Sequence, residues 1–307
     1  MTQANNVFVI TLSIILLGFL LKKYGFVTEK DGKTISRFLM HTTFPALMIV
    51  STARVQLDPE LFLIPLFCIG FCVIMLSIAW FWFSNYTNDL RGVLTMGAGT
   101  ANVGLFGFPI IEGLFGKEAL VYAVMFDIGN TLIAFGVVYP LGRFFAAGGS
   151  AAGLDWKAIL KRVFSLPPFL GLFVGLSINA LSIPMPPLVF DALDVLAKGN
   201  KPLVLLLMGV YLSFNLDKNQ LKAISKVLSI RYVVGLSMVA LLYFFLPPSL
   251  MQSVLIICVL LPLGMTILPF SDEMNFDSRI AGTLLNISLL ISFGLMWVLV
   301  LVLGLMP

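Results

Sequence analysis

Charge is the scarcest resource in this chain of 307 residues: Lys, Arg, Asp and Glu together make up only 11%, against 59% hydrophobic residues. A soluble globular domain carries nearer about 25% charge, so most of this surface must face lipid rather than water. Histidine is nearly absent, with His41 alone. One imidazole cannot supply the usual nucleophile–base–acid sets or a His-rich metal site. The three cysteines, Cys68, Cys72 and Cys258, all lie inside apolar runs, which argues for packing and against a disulfide framework. A Gly-x4-Gly-Lys-Ser/Thr loop is missing, which excludes P-loop ATP hydrolysis. Basic residues before the opening apolar run and a small-residue cleavage site after it are missing too. That run therefore reads as a retained helix and not a signal peptide. The surplus of positive charge follows a membrane pattern, so nucleic acid is not an expected partner.

What is present is a succession of apolar runs long enough to cross about 30 Å of hydrocarbon. Ten spans are expected, at 5–22, 34–52, 59–83, 92–113, 119–144, 163–181, 199–216, 226–246, 249–270 and 278–305. Fifteen Lys and Arg fall in the odd-numbered loops and four in the even-numbered ones, with Arg231 counted among the former and none in either tail. Basic loops stay in the cytoplasm, so both termini are expected outside a multi-pass protein of the cell membrane. The segment at 182–200, ahead of the seventh span, alternates apolar and charged residues at helical spacing. It reads as an interfacial helix on the outer side.

The two halves resemble each other. Pro45 in the second span and Pro202 in the seventh are 157 residues apart. Pro109 in the fourth and Pro269 in the ninth are 160 apart, which sets Glu112 opposite Asp272. Asp127 follows its proline by eighteen residues and Asn286 follows its own by seventeen. Five spans per half reverse the orientation of the second half, as in transporters with inverted repeats. The expected fold is thus all-α, with a first repeat at 1–146, a cytoplasmic linker at 147–162 and a second repeat at 163–307.

The fourth span packs Gly97, Gly99, Gly104, Gly107 and Pro109 into thirteen residues, and the ninth holds Pro262, Gly264 and Pro269. Glycine costs about 1 kcal/mol and proline about 3 kcal/mol inside a helix. Freed backbone groups are tolerated in a membrane only where buried or lining a cavity. Two broken helices crossing at mid-bilayer would aim half-helix ends at a ligand: N-termini at an anion, freed carbonyls at a cation. The bland alternative is a pair of kinked packing helices. The candidate substrate residues are Asn102, Val103, Gly104, Gly107, Pro109, Gly264, Thr266, Ile267, Pro269 and Asn286. The candidate hinges are Pro45, Pro109, Pro202, Pro262 and Pro269. Asp127 with Asn130, three residues on, can take a proton or coordinate Na⁺, or can brace a broken helix. His41, four residues before Pro45, is a further candidate for ion coupling. Glu112, Asp272 and Glu273 fall near span ends and read as solvated or capping.

At these residues the chain resembles the auxin efflux carrier family, whose best-known members are the plant PIN-type carriers. The family's Asn, Gly and Pro of the fourth span match Asn102, Gly107 and Pro109. Ile35 to Phe38 followed by Pro45 is similar in the second span, and the Pro-x-Gly of the ninth matches Pro262–Leu263–Gly264. For the second crossover position, Ile267 and Pro269 compete. The central loop is short, as in bacterial members. The resemblance implies two inverted five-helix repeats, with spans 1, 2, 6 and 7 as a scaffold and spans 3–5 and 8–10 as a transport domain moving elevator-fashion. It also implies a carboxylate substrate bound at the crossover and a homodimer formed through the scaffold. The expected function is secondary transport of a small organic anion, auxin-like or a dicarboxylate, coupled to H⁺ or Na⁺, without cofactor or resident metal. A channel for the same solutes, or a membrane enzyme or sensor, are the other readings.

Overall fold

The computed structural model describes residues 2–54, 59–149, 157, 161, 164–165, 167–212 and 221–305. Most of the expected linker at 147–162 and the loop cation Lys218 lie outside the described residues. Among the described residues the chain is helical, and its one β-type contact is an isolated antiparallel bridge between Ala101 and Leu263.

The first half begins with α1 (Thr2–Lys23), followed by α2 (Glu29–His41), α3 (Thr43–Thr52), α4 (Leu63–Trp82) and α5 (Asn88–Ala98). It continues with α6 (Phe108–Phe115), α7 (Leu120–Ile133) and α8 (Tyr139–Ala146). The remainder comprises α9 (Pro167–Ala180), α10 (Pro187–Tyr211), α11 (Leu221–Phe245), α12 (Leu250–Val259), α13 (Ile267–Glu273) and α14 (Ser278–Leu303). π-Helical turns at Val103–Gly107 and Ala134–Val138 join α6 and α8 to what precedes them.

Five helical stretches are long and apolar enough to span a bilayer unbroken: Asn5–Lys23, Glu60–Trp82, Lys117–Ala146, Leu221–Phe245 and Arg279–Leu303. Large apolar side chains such as Phe81, Leu188, Phe244 and Phe245 are each at least three-quarters exposed. A monomer in water rarely presents such patches; a lipid-facing surface does.

The other expected spans are interrupted or differently bounded. The second divides into α2 and α3 at Thr42, because Pro45 offers no N–H to the carbonyl four residues back. Thr28 opens α2 with a reciprocal cap: Asp31 N–H donates to its hydroxyl oxygen, and its own N–H donates to the Asp31 carboxylate. Pro202, by contrast, sits inside an α10 that continues past it, so it marks no break in the chain path. The segment at 182–200 is also not a separate interfacial helix: from Pro187 onward it is the start of α10 itself.

Two helix pairs pack backbone to backbone. A methyl group on Gly18 of α1 would collide with the Leu206 carbonyl oxygen of α10, and one on Gly209 of α10 with the Ile15 carbonyl oxygen of α1. Likewise, one on Gly175 of α9 would strike Thr52 Oγ1 and lie 3.0 Å from Ile49 Cα of α3. Gly18 and Gly175, and Ile49 and Leu206, are related by the same 157-residue separation as Pro45 and Pro202. Thr43 and Asn200, again 157 apart, touch each other: the buried Thr43 hydroxyl donates to Asn200 Oδ1 at 2.8 Å.

Candidate functional site

The centre of the molecule is built where the fourth and ninth expected spans come apart. Beyond α5 the chain unwinds through Thr100–Ala101–Asn102, and beyond α12 it unwinds through Pro262–Leu263–Gly264. These two extended pieces run antiparallel: Asn102 N–H donates to the Pro262 carbonyl at 2.9 Å, and Gly264 N–H to the Thr100 carbonyl at 3.1 Å. A side chain at Gly264 is excluded, since its Cβ would stand 2.5 Å from Thr100 Oγ1.

Each central residue is held from the side by one polar group. Asn130 of α7 accepts from Ala101 N–H at 2.8 Å and donates to the Ala101 carbonyl at 3.0 Å. Its amide also donates to Asp127 Oδ1 at 3.0 Å. In the other half, Leu263 N–H donates to Ser288 Oγ of α14 at 3.2 Å. Asn130 therefore serves the unwound backbone as a strand neighbour would, and it places the Asp127 carboxylate beside the crossing.

Beneath the crossing stands Arg231 of α11, fully buried and among the largest wholly enclosed side chains in the protein. Its guanidinium donates to the Leu261 carbonyl at 2.9 and 2.6 Å and to the Thr100 carbonyl at 3.0 Å. Arg231 is therefore no loop cation. It lies eleven residues into α11, and its removal from the loop tally leaves the charge asymmetry intact.

On the Asp127 side a cavity of about 210 Å³ opens, lined by Asn102, Val103, Gly104, Asp127, Asn130, Gly264 and Thr266 against Phe44, Phe169 and Leu172 of α3 and α9. Drug-sized sites occupy about 300–1,000 Å³, so this one suits a smaller solute. Met40 also lines it, at the end of α2 beside the break at Thr42. A second cavity, about 460 Å³, lies toward Arg54, Lys117 and Lys198. There Asp194 of α10 accepts from Lys117 at 2.7 Å and from Lys198 at 2.6 Å. These ammonium groups, Lys117 foremost, hold its carboxyl below the usual range.

Not all sequence candidates gather here. Gly107 and Ile267 are buried beside the crossing, Gly107 against Leu261 and Ile267 against Gly97, without reaching the cavity. Pro109 is the second residue of α6, seven positions after the unwound piece, inside the helical stretch Val103–Phe115 where the π-helical turn gives way to α-helix. Pro269 is exposed on α13. Of the five candidate hinges, Pro262 alone stands in an unwound crossing segment. Asn286 donates to the Gly282 carbonyl at 2.9 Å and lines a separate cleft of about 50 Å³ on the far side of the crossing, which Asn102 also borders. His41 is exposed, with Nδ1 2.8 Å from the Arg37 carbonyl, and is not brought to Asp127. Sequence reasoning missed Thr100 and Arg231. For Arg231 the signal was present: a lone charge inside an apolar run.

A family model described as membrane transport protein matches residues 6–146 and 155–300, one segment for each half of the chain. An uncharacterized transporter of Methanothermobacter thermautotrophicus is 26% identical over 286 residues, covering 92% of both chains. An uncharacterized transporter of Methanocaldococcus jannaschii is 23% identical over 221 residues, covering 68% of both.

Proposed function

This chain belongs to the membrane transport protein family, and from that premise we propose that it is a secondary carrier of a small organic anion. The observation that carries the reading is the antiparallel meeting of two unwound helices at the edge of a cavity that also holds Asp127. Where Val103–Phe115 begins, the first N–H groups have no partner within the helix and bring a partial positive charge to the cavity. A carboxylate accepts such donors without a basic side chain. Asp127, the acidic side chain in that lining, would repel the same anion unless a proton or Na⁺ neutralised it. Binding of anion and cation is thereby coupled, which is what a symporter requires.

In this reading the molecule consists of two inverted five-helix repeats. The support is the shared 157-residue separation of helix contacts and the direct pairing of Thr43 with Asn200. α1, α2, α3, α9 and α10 would form the scaffold, and the crossing would travel with α4–α8 and α11–α14. A homodimer through the scaffold is part of the same proposal. The decisive experiment is counterflow in proteoliposomes with labelled malonate, malate and indole acetate. Saturable counterflow of at least one is expected. Unsaturable flux would mean a channel, and failure of every carboxylate would remove the anion reading.

A further inference from the structure

The crossing contains half-helix ends of both signs. The C-termini of α5 and α12 bring carbonyls into it, while Val103–Phe115 brings N–H groups. A helix end carries roughly half an elementary charge, negative where carbonyls are unpaired. In membrane carriers, unwound carbonyls at such ends are where a coupling cation such as Na⁺ is coordinated. Here that position is filled by the protein. The Arg231 guanidinium hydrogen-bonds the carbonyls of Thr100 and Leu261, each the second residue past the end of its helix, α5 or α12. Among the described residues these two carbonyls are its hydrogen-bond partners, with no carboxylate among them; the titratable groups around it are Tyr232, Cys72 and Cys68. An arginine stays charged in any protein environment, so a permanent cation is fixed at the negative side of the crossing.

We propose that Arg231 is a specificity-determining residue that acts as a built-in cation: it neutralises the carbonyl ends of α5 and α12, excludes Na⁺ from them, and leaves the crossing selective for anions. This rests on the carrier reading above and deepens it. It also separates the two places where a cation can act, since the crossing carbonyls are already satisfied and Asp127 is the remaining candidate. Burying this guanidinium is costly, and it holds because the Leu261 carbonyl would otherwise be unpaired and the Thr100 carbonyl, which also accepts from Gly264 N–H, would keep a single donor.

The test uses the purified full-length protein in detergent, with Na⁺ and guanidinium as probes and choline as the control ion. It is carried out in the Asp127→Asn background, so that binding at the carboxylate does not contribute. Arg231→Met should lower the melting midpoint. It should also acquire a response the parent lacks, a rise of about 3 °C when about 50 mM choline is replaced by Na⁺, or by less guanidinium. Arg231→Lys keeps a charge and should show no such response. If Arg231→Met cannot be purified in choline, recovery by low guanidinium during purification supports the proposal, and recovery by neither ion overturns it. A folded Arg231→Met indifferent to both ions also overturns it. No substrate enters this measurement, so its failure is distinct from failure of the counterflow experiment.

Discussion

Single side chains decide the geometry of the crossing, and two of them make different demands. Asp127 bears on transport rather than on shape: its one hydrogen bond to Asn130 can be replaced by an amide. Asp127→Asn should therefore abolish uphill accumulation of substrate in proteoliposomes while leaving the melting midpoint within a few degrees. Full uphill transport by that variant would take Asp127 out of the coupling. Asn130 bears on shape. Asn130→Ala leaves the N–H and carbonyl of Ala101 without their partner, at a cost of about 1–3 kcal/mol for a buried group left unsatisfied. Ser288→Ala removes a single longer bond and should cost less. Thermal unfolding of the two variants side by side checks that order. Asp127 and Asn130 were legible in the sequence because polar residues three apart inside an apolar run have few innocent explanations. Ser288 was less so: it stands out beside Asn286 as a polar residue of the tenth span, but a serine hydroxyl is satisfied within its own helix as easily as across a crossing.

Helices were legible where hydrophobicity was continuous and ambiguous where it was interrupted. α1, α4, α11 and α14 follow their apolar runs within a few residues. The breaks in the fourth and ninth spans are expected from glycine and proline, and they fall at Thr100–Asn102 and Pro262–Gly264, ahead of Pro109 and Pro269. Proline disrupts the turn before it but initiates the helix after it, and position in the sequence does not reveal which role applies. Pro109→Ala should accordingly leave the unwound Thr100–Asn102 segment in place and change substrate affinity less than about threefold, as read by a binding isotherm. Close helix packing makes the opposite prediction for glycine. Gly18→Ala drives a methyl into the Leu206 carbonyl and should destabilise by about 1–3 kcal/mol. Gly282→Ala of α14 has nothing within 4 Å of the added methyl and should be neutral or stabilising by roughly 0.5–1 kcal/mol. Equal midpoints for the two variants would refute the contact geometry.

At the scale of the whole molecule, the proposed repeat is suggested in the sequence by proline spacing, but the contacts that support it lie in no single window of sequence. Thr43 and Asn200 become a pair only when both halves are folded against each other. Orientation rests on charge alone and can be tested directly. The natural cysteines Cys68, Cys72 and Cys258 are buried, so introduced thiols report without background. Leu181→Cys and Tyr24→Cys stand at positions 71% and 70% exposed. In intact cells a membrane-impermeant thiol reagent should label the first and reach the second only after permeabilisation. The reverse pattern would invert the topology, and labelling of both from outside would dismantle it.

The bridge between Ala101 and Leu263 has a mechanical consequence. It rivets the unwound segment of the fourth span to that of the ninth through main chain, so neither broken helix can travel alone. Any stroke that carries a solute must carry the floor on which it rests as a single plate. The amide hydrogens of Asn102 and Gly264 should then exchange with heavy water slowly throughout the cycle, even though both lie in the least regular stretches of the membrane core.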